Sequence, residues 1–322
     1  MRLATVLSEG SISPLAVVAA DEKTWLALHD FLTFFGVGDI PPRQSPMREF
    51  LPILMPRFSE LTRKVSDWPE HGRIFQQRGG RPIRVTRLLA PIQSPPSVRE
   101  FCGFEEHFRN LCRRRGVEMT QAWYDVPAFY FSNPNSLVGY DDEVVAPRGA
   151  TELDYELELG IVIGRRARNI PAASAWDCVA GFTIVNDFAA RDLQRRELVV
   201  GFGSAKGSDF ATAVGPVLVT RDEFSDKING AGLRLEMRGR VNGRELSGGN
   251  ASNLFHTIPK MIEHASADAD LYPGEIIATG AIGGGSILEL TPEATNGWLK
   301  PGDLIELEVE RIGVLRNRIA TR

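Results

Sequence analysis

The chain has 322 residues and a mass of 35.5 kDa, room for one large domain or two smaller ones, and 43% of its residues are apolar. Its 37 Lys and Arg against 41 Asp and Glu give a net charge of −4, which excludes a nucleic-acid binder acting through bulk positive charge. Three cysteines without repeat spacing supply neither a disulfide framework nor a zinc knuckle and fit a reducing cytoplasm, and no run of about 18 apolar residues is present to span a membrane.

The opening MRLATVLSEGSISPLAVVAA is interrupted by Glu9, Gly10 and Pro14, so it reads as a strand and a turn rather than a signal peptide. Trp25 to Leu32 has the pattern of a short helix, closed off by Pro41 and Pro42. Residues 47–65 carry helical spacing broken by Pro52 and Pro56. Gly79-Gly80-Arg81-Pro82 reads as a linker and places a boundary near residue 85: a smaller N-terminal domain over 1–85 and a second domain over 86–322. Residues 98–116 read as a helix, with Phe104, His107, Phe108, Leu111 and Cys112 on one stripe and Gly116 as its C-cap. Arg113, Arg114 and Arg115 suit the negative end of that helix and need no nucleic-acid role.

From residue 127 short strands recur between Gly, Pro, Asn and Asp. The candidates are 128–131, 153–163, 181–185, 214–219, 233–238, 275–278, 287–290 and 304–309, with helices near 189–197 and 254–265. The fold class is therefore α+β and strand-rich. Phosphate-loop, dinucleotide and serine-elbow patterns are absent from the glycine runs at 201–207 and 283–285.

Charge is divided unevenly. Residues 1–90 hold 12 basic and 9 acidic side chains, whereas the remainder hold 25 and 32. Within the acidic part, LDYELELGIVIG reads as a strand whose Glu156 and Glu158 share a face about 7 Å apart, with Gly160 and Val162 further along that face. Two buried like charges repel and lose solvation, and a divalent cation with hard oxygen ligands resolves both problems. An exposed face with two solvated glutamates is the alternative. GFTIVNDFAARDLQ then reads as a buried strand running into a helix, with Asp187 at the strand end as a third candidate ligand or an N-cap. Arg191 and Gln194 share a face of that helix.

ELELGIVIG, GFTIVNDFAARDLQRR, the Gly-Lys-Gly segment around Lys206, LYPGEIIATG and LKPGDLIELEVERIGVLRN, in this order, resemble the fumarylacetoacetate hydrolase family over about residues 90–318. The resemblance implies a mixed β-sandwich roll, a homodimer, and a divalent metal, Mg²⁺ with Mn²⁺ or Ca²⁺ substituting. It implies Glu156, Glu158 and Asp187 as metal ligands, and Glu100 as a fourth where fumarylacetoacetase has the shorter Asp. It maps the water-activating histidine to His107, seven residues after Glu100, and its orienting glutamate to Glu289 within GSILEL. Arg191, Gln194 and Lys206 match positions that hold substrate or its developing oxyanion, and Tyr130 and Thr212 match substrate-binding positions. This chain departs from the family pattern at Ala281, where a threonine is usual, and at Cys102, often tyrosine.

The activity expected from this resemblance is that of a hydrolase acting on a carbon–carbon bond of a β-diketo acid, fumarylacetoacetate or a related acylpyruvate, of the kind met in aromatic catabolism. The alternative within the family is a metal-dependent oxo-acid decarboxylase or isomerase, and a metal-stabilised binding module is a third reading. The expected partners are the small-molecule substrate and a second copy of the chain, with no nucleic acid and no membrane.

Overall fold

The computed structural model describes residues 1–201, 203 and 205–321; Phe202 and Ser204 of the 201–207 run, and Arg322, lie outside the described residues. The main elements in chain order are strands β1 (Arg2–Ser8), β2 (Leu15–Ala19) and β3 (Trp25–Ala27) and helices α1 (Leu28–Phe34), α2 (Met47–Leu54), α3 (Phe58–Ser66) and α4 (Trp68–Gln77). Next come β4 (Val98–Phe101), α5 (Glu105–Arg115), β5 (Phe129–Ser132), β6 (Leu157–Ile163), β7 (Val179–Asp187), α6 (Arg191–Val200) and β8 (Thr212–Thr220). The last are β9 (Glu236–Val241), β10 (Arg244–Asn250), α7 (Ile258–Ser266), β11 (Ile276–Ala278), the single turn α8 (Ile287–Leu290), β12 (Leu304–Val309) and β13 (Gly313–Ile319).

Among the described residues eleven strands form one sheet along the path β3-β2-β1-β8-β7-β6-β11-β4-β5, with Val85–Leu89 beside β1 and Leu137–Val138 beside β8. Most pairs are antiparallel; β4 runs parallel to β11. A second sheet has the order β10-β9-β12-β13 and ends on Glu143–Val144. The mixed α+β, strand-rich class is as expected.

The central strands read as nearly unbroken apolar runs because both faces are covered. Leu157, Leu159 and Ile161 of β6 share a core with Met237, Ile305, Leu307 and Val309 of the second sheet. The opposite face carries Val162, Val185, Val214 and Leu218, packed with Leu28, Phe31, Phe50, Leu51 and Leu54 of the N-terminal helices. The N-terminal segment is therefore the helical layer over one face of the main sheet. It also joins that sheet, since Arg2 and Leu3 of β1 pair with Val219 and Leu218 of β8. The boundary drawn at residue 85 divides the chain without interrupting the sheet.

Several local expectations need correction. The stretch 98–116 is not one helix: β4 occupies Val98–Phe101 and α5 starts at Glu105, because residues 98–101 are wholly buried between β11 and β5, where strand pairing satisfies their backbone. Trp25–Ala27 is likewise a strand ahead of α1. The segment 287–290 is a helical turn, not a strand. The proline-broken region 47–65 does contain a break, a 3₁₀ turn at Met55–Arg57 between α2 and α3, and Gly116 caps α5 in the left-handed conformation, φ 68°.

Candidate metal centre and base

Cross-strand partners in a sheet point to the same face, as do residues two apart along a strand. The register Glu158↔Val185, Gly160↔Ala278, Ala278↔Glu100, Glu100↔Tyr130 and Asp187↔Thr212 therefore puts Glu100, Tyr130, Glu158, Asp187 and Thr212 on one side. It is the face that elsewhere carries Val98, Val162 and Val214 under the N-terminal helices. Glu156 lies just before β6, held there by its N–H donating to Asn186 Oδ1 at 3.0 Å.

All four proposed ligand acids are buried. Both oxygens of Glu100 are without a hydrogen-bond partner. Glu158 Oε2 accepts the Gly280 N–H at 2.9 Å. Gly280 permits this approach, since its φ is 81° and a Cβ there would sit 2.5 Å from the Phe101 carbonyl oxygen. Tyr130 donates its hydroxyl to Asp187 Oδ2 at 2.5 Å, and Thr212 Oγ1 stands 3.5 Å from Asp187 Oδ1. Burial first, and then the charge of neighbouring acids, pushes Glu100 and Glu158 well above the ordinary carboxyl range and Asp187 up to about 7. Burial and the same acids raise the Tyr130 hydroxyl as well.

Buried carboxyls that repel one another, one of them with no hydrogen-bond donor, make an all-oxygen set of the kind that fits a hard divalent cation. The side chains face each other without being drawn into a finished cage: among the described residues no three His, Cys, Asp or Glu already stand as a ready-made ligand group.

Beside this cluster, His107 of α5 is 3% exposed. Its Nδ1 is 2.8 Å from Glu289 Oε2, and its Nε2 is 3.8 Å from Glu156 Oε1. Glu289 is anchored on α8. Its Oε2 also accepts the Ser286 hydroxyl at 3.0 Å, and its Oε1 accepts the Gly284 N–H at 2.9 Å and the Asn110 amide at 3.1 Å. Burial opposes charge on His107, but the charge and hydrogen bond of Glu289, with Glu156 behind them, outweigh it, so its pKa is raised. Burial likewise opposes charge on Glu289, yet the imidazole and the donors around it hold its pKa low. A carboxylate on one ring nitrogen fixes the tautomer that leaves the other free as a base.

The expected substrate-side groups are placed differently. Arg191 is buried and committed: Nε donates to Asp154 Oδ2 at 2.9 Å, one terminal nitrogen to Glu156 Oε1 at 2.6 Å and the other to Gln194 Oε1 at 3.0 Å. Burial works against its charge, but Glu156 and Asp154 raise its pKa overall. Gln194 passes its amide N–H on to Ser208 at 3.0 Å. Lys206 lies on an exposed turn with its ammonium paired with Asp209 at 2.8 Å. Cys102 is half-buried and its thiol is pushed up to about 12, chiefly by burial and then by Glu156, which is no setting for a nucleophile.

Sequence reasoning missed Asp154, Asn110, Ser286 and Asn186. Each acts through a partner that the local pattern does not reveal, most of them tens to hundreds of positions away, and only the D in L-D-Y-E-L-E hinted at a polar neighbour for the acids.

The sequence profile described as fumarylacetoacetate (FAA) hydrolase C-terminal matches residues 97–320. An uncharacterized protein of Pyrococcus abyssi is 36% identical over 239 residues, covering 74% of this chain and 91% of the relative. The human mitochondrial oxaloacetate tautomerase FAHD2A is 32% identical over 238 residues, covering 74% and 71%. A solved structure of maleylpyruvate hydrolase from Sphingobium, in complex with manganese(II) and pyruvate, superposes with a TM-score of 0.66 at 22% identity over 99% of both chains.

Proposed function

The chain belongs to the fumarylacetoacetate hydrolase family, and from that membership and the site geometry we propose a divalent-metal-dependent hydrolase that cleaves a carbon–carbon bond in a β-diketo acid of the acylpyruvate type. The observation that carries this reading is the His107–Glu289 pair, 2.8 Å apart and buried beside the acidic cluster.

Glu156, Glu158 and Asp187, with Glu100, would hold the cation, for which the manganese complex of the Sphingobium enzyme is a precedent. When bound, a divalent cation supplies charge neutralisation and Lewis-acid polarisation of the substrate's oxo groups. The remaining work falls to the chain's own residues. Glu289 stays ionised and holds Nδ1–H, so Nε2 presents its lone pair toward the acidic pocket. Nε2 takes a proton from water, whose oxygen bonds to the acyl carbonyl carbon. The carbon–carbon bond then breaks, its electron pair stays with the pyruvate fragment, and Nε2 returns the proton to that carbon. Glu289 stabilises the imidazolium between the two transfers. Arg191 directs the Glu156 carboxyl, and Tyr130 and Thr212 direct that of Asp187.

A second reading is enol–keto tautomerisation of an oxo dicarboxylic acid, for which the same base moves a proton between carbon and oxygen. It is favoured by the relative named oxaloacetate tautomerase and by the commitment of Arg191 and Lys206 to carboxylates, which leaves neither for an oxyanion. The test is a panel of acylpyruvates and oxaloacetate assayed with Mn²⁺ or Mg²⁺ and with EDTA. Acid products from an acylpyruvate support hydrolysis; interconversion of oxaloacetate forms without cleavage of any panel member rejects it in favour of tautomerisation.

A further inference from the structure

Asp154 lies outside the ligand acids and the base, yet it is fully buried, and an isolated carboxylate in that position is costly. Four donors surround it. Oδ1 accepts the N–H of Tyr155 at 2.8 Å and of Ile287 at 2.7 Å; Oδ2 accepts Leu288 N–H at 3.0 Å and Arg191 Nε at 2.9 Å.

The two amides at 287 and 288 are the opening N–H groups of α8, which have no partner inside a helix. Ser286 precedes them in extended conformation, but its hydroxyl goes to Glu289 and gives no side-chain cap to the turn. Asp154 replaces that cap from 133 positions away. The turn it fixes carries Glu289, and Glu289 holds His107. The other oxygen of Asp154 holds Arg191, whose guanidinium holds Glu156, and Glu156 Oε1 faces His107 Nε2 at 3.8 Å. The contacts close into a ring: Asp154, Arg191, Glu156, His107, Glu289, α8 and back to Asp154.

We propose that Asp154 is a positioning residue that sets the spacing between the base pair and the metal-ligand side of the site through this ring. Its catalytic consequence rests on the function proposed above; its geometric consequence does not. A merely structural Asp154 would lower stability and leave the folded molecules working normally.

The test is Asp154→Asn in the full chain, which keeps size and removes the charge that orders Arg191. In metal-free protein, amide hydrogen exchange at Gly284, whose N–H is bonded to Glu289 and not to Asp154, should quicken by about tenfold together with Ile287 and Leu288. Mn²⁺ affinity by calorimetry should fall by about 10- to 100-fold, the range for outer-shell partners, and kcat by a similar factor with KM within about threefold. Unchanged exchange at Gly284, or Mn²⁺ affinity within about threefold of the parent, overturns the proposal. If no panel substrate is turned over by the parent protein, the function proposed above fails while exchange and Mn²⁺ affinity still decide this one. Should that variant fail to fold, Asp154→Glu, which keeps the charge for Arg191 but displaces the carboxylate from the α8 amides, is judged on the same two readouts.

Discussion

Glu289 Oε2 stands 2.8 Å from His107 Nδ1 across 182 positions of sequence, and neither side chain is open to solvent. A base so enclosed can exchange protons only with what enters the acidic pocket. His107→Ala should therefore lower kcat by about 10²- to 10⁴-fold on the accepted substrate, the usual worth of a positioned general base. Glu289→Gln should lower kcat as well, because the imidazole stays while the charged support that fixes its tautomer and stabilises the imidazolium is lost. Steady-state turnover of both variants checks this, and near-parental activity of His107→Ala removes the histidine from the mechanism.

The acidic cluster predicts a pH trend in metal-free protein. Asp187 is raised to about 7 and Glu100 and Glu158 are raised too, against ordinary values of 3.8 and 4.5, so between roughly pH 4 and 7 the folded state binds more protons than the unfolded one. Stability contributed by these groups is present at low pH and is lost as pH rises through that window. The melting temperature should fall across it in EDTA, and Mn²⁺ should restore it at about pH 7.5, above the window. A melting temperature that rises across the window in EDTA would contradict the cluster's assigned burial and repulsion.

Glu100 offers a sharper case, because its two oxygens have no hydrogen-bond partner. Glu100→Gln replaces a buried acid, which must either hold a proton or repel its neighbours, by a neutral amide, and should raise the melting temperature of the metal-free protein at about pH 7.5 by a few degrees, the equivalent of about 1 kcal/mol. The same change should weaken Mn²⁺ binding about tenfold if the carboxylate is a ligand or supports one. Calorimetry and thermal scans on one preparation measure both effects, and unaltered Mn²⁺ affinity would remove Glu100 from the ligand set.

Gly181 tests the sheet. A Cβ there would lie 2.1 Å from the Val219 carbonyl oxygen, a backbone atom that cannot step aside, and the register of β7 on β8 shifts close by. Gly181→Ala should destabilise the fold by about 1–3 kcal/mol, the ordinary cost of overpacking. Urea denaturation reads this directly, and an unchanged midpoint would mean the two strands separate more easily than their register implies.

Glu156, Glu158 and Asp187 stand out in the sequence because their motifs are local, E-x-E at 156 and 158 and N-D at 186 and 187, whereas His107 and Glu289 are marked only by the resemblance to the family. The side chains that orient them do not stand out. Arg191 reads as a substrate group until Asp154 and Glu156 are seen to occupy its guanidinium, and α8 reads as a strand until its amides are found on Asp154. Glu100 reads as helical because its neighbours Phe104, His107 and Leu111 do have helical spacing, and periodicity says little about the few residues before such a run. The union of the N-terminal segment with the main sheet is hidden for a related reason: pairing between Leu3 and Leu218 leaves no mark in either stretch alone.

That last pairing bears on how the protein can be handled. The family-matched region begins at residue 97, and trimming the chain there looks like an obvious route to a minimal enzyme. Such a cut would strip β1 from β8 and bare a row of backbone donors and acceptors along an apolar strand, while lifting α1 and α2 off Val162, Val185 and Val214. A naked edge beside a naked greasy face is a template for aggregation. The first 85 residues thus cover a face and an edge of the sheet that the family-matched region alone would expose.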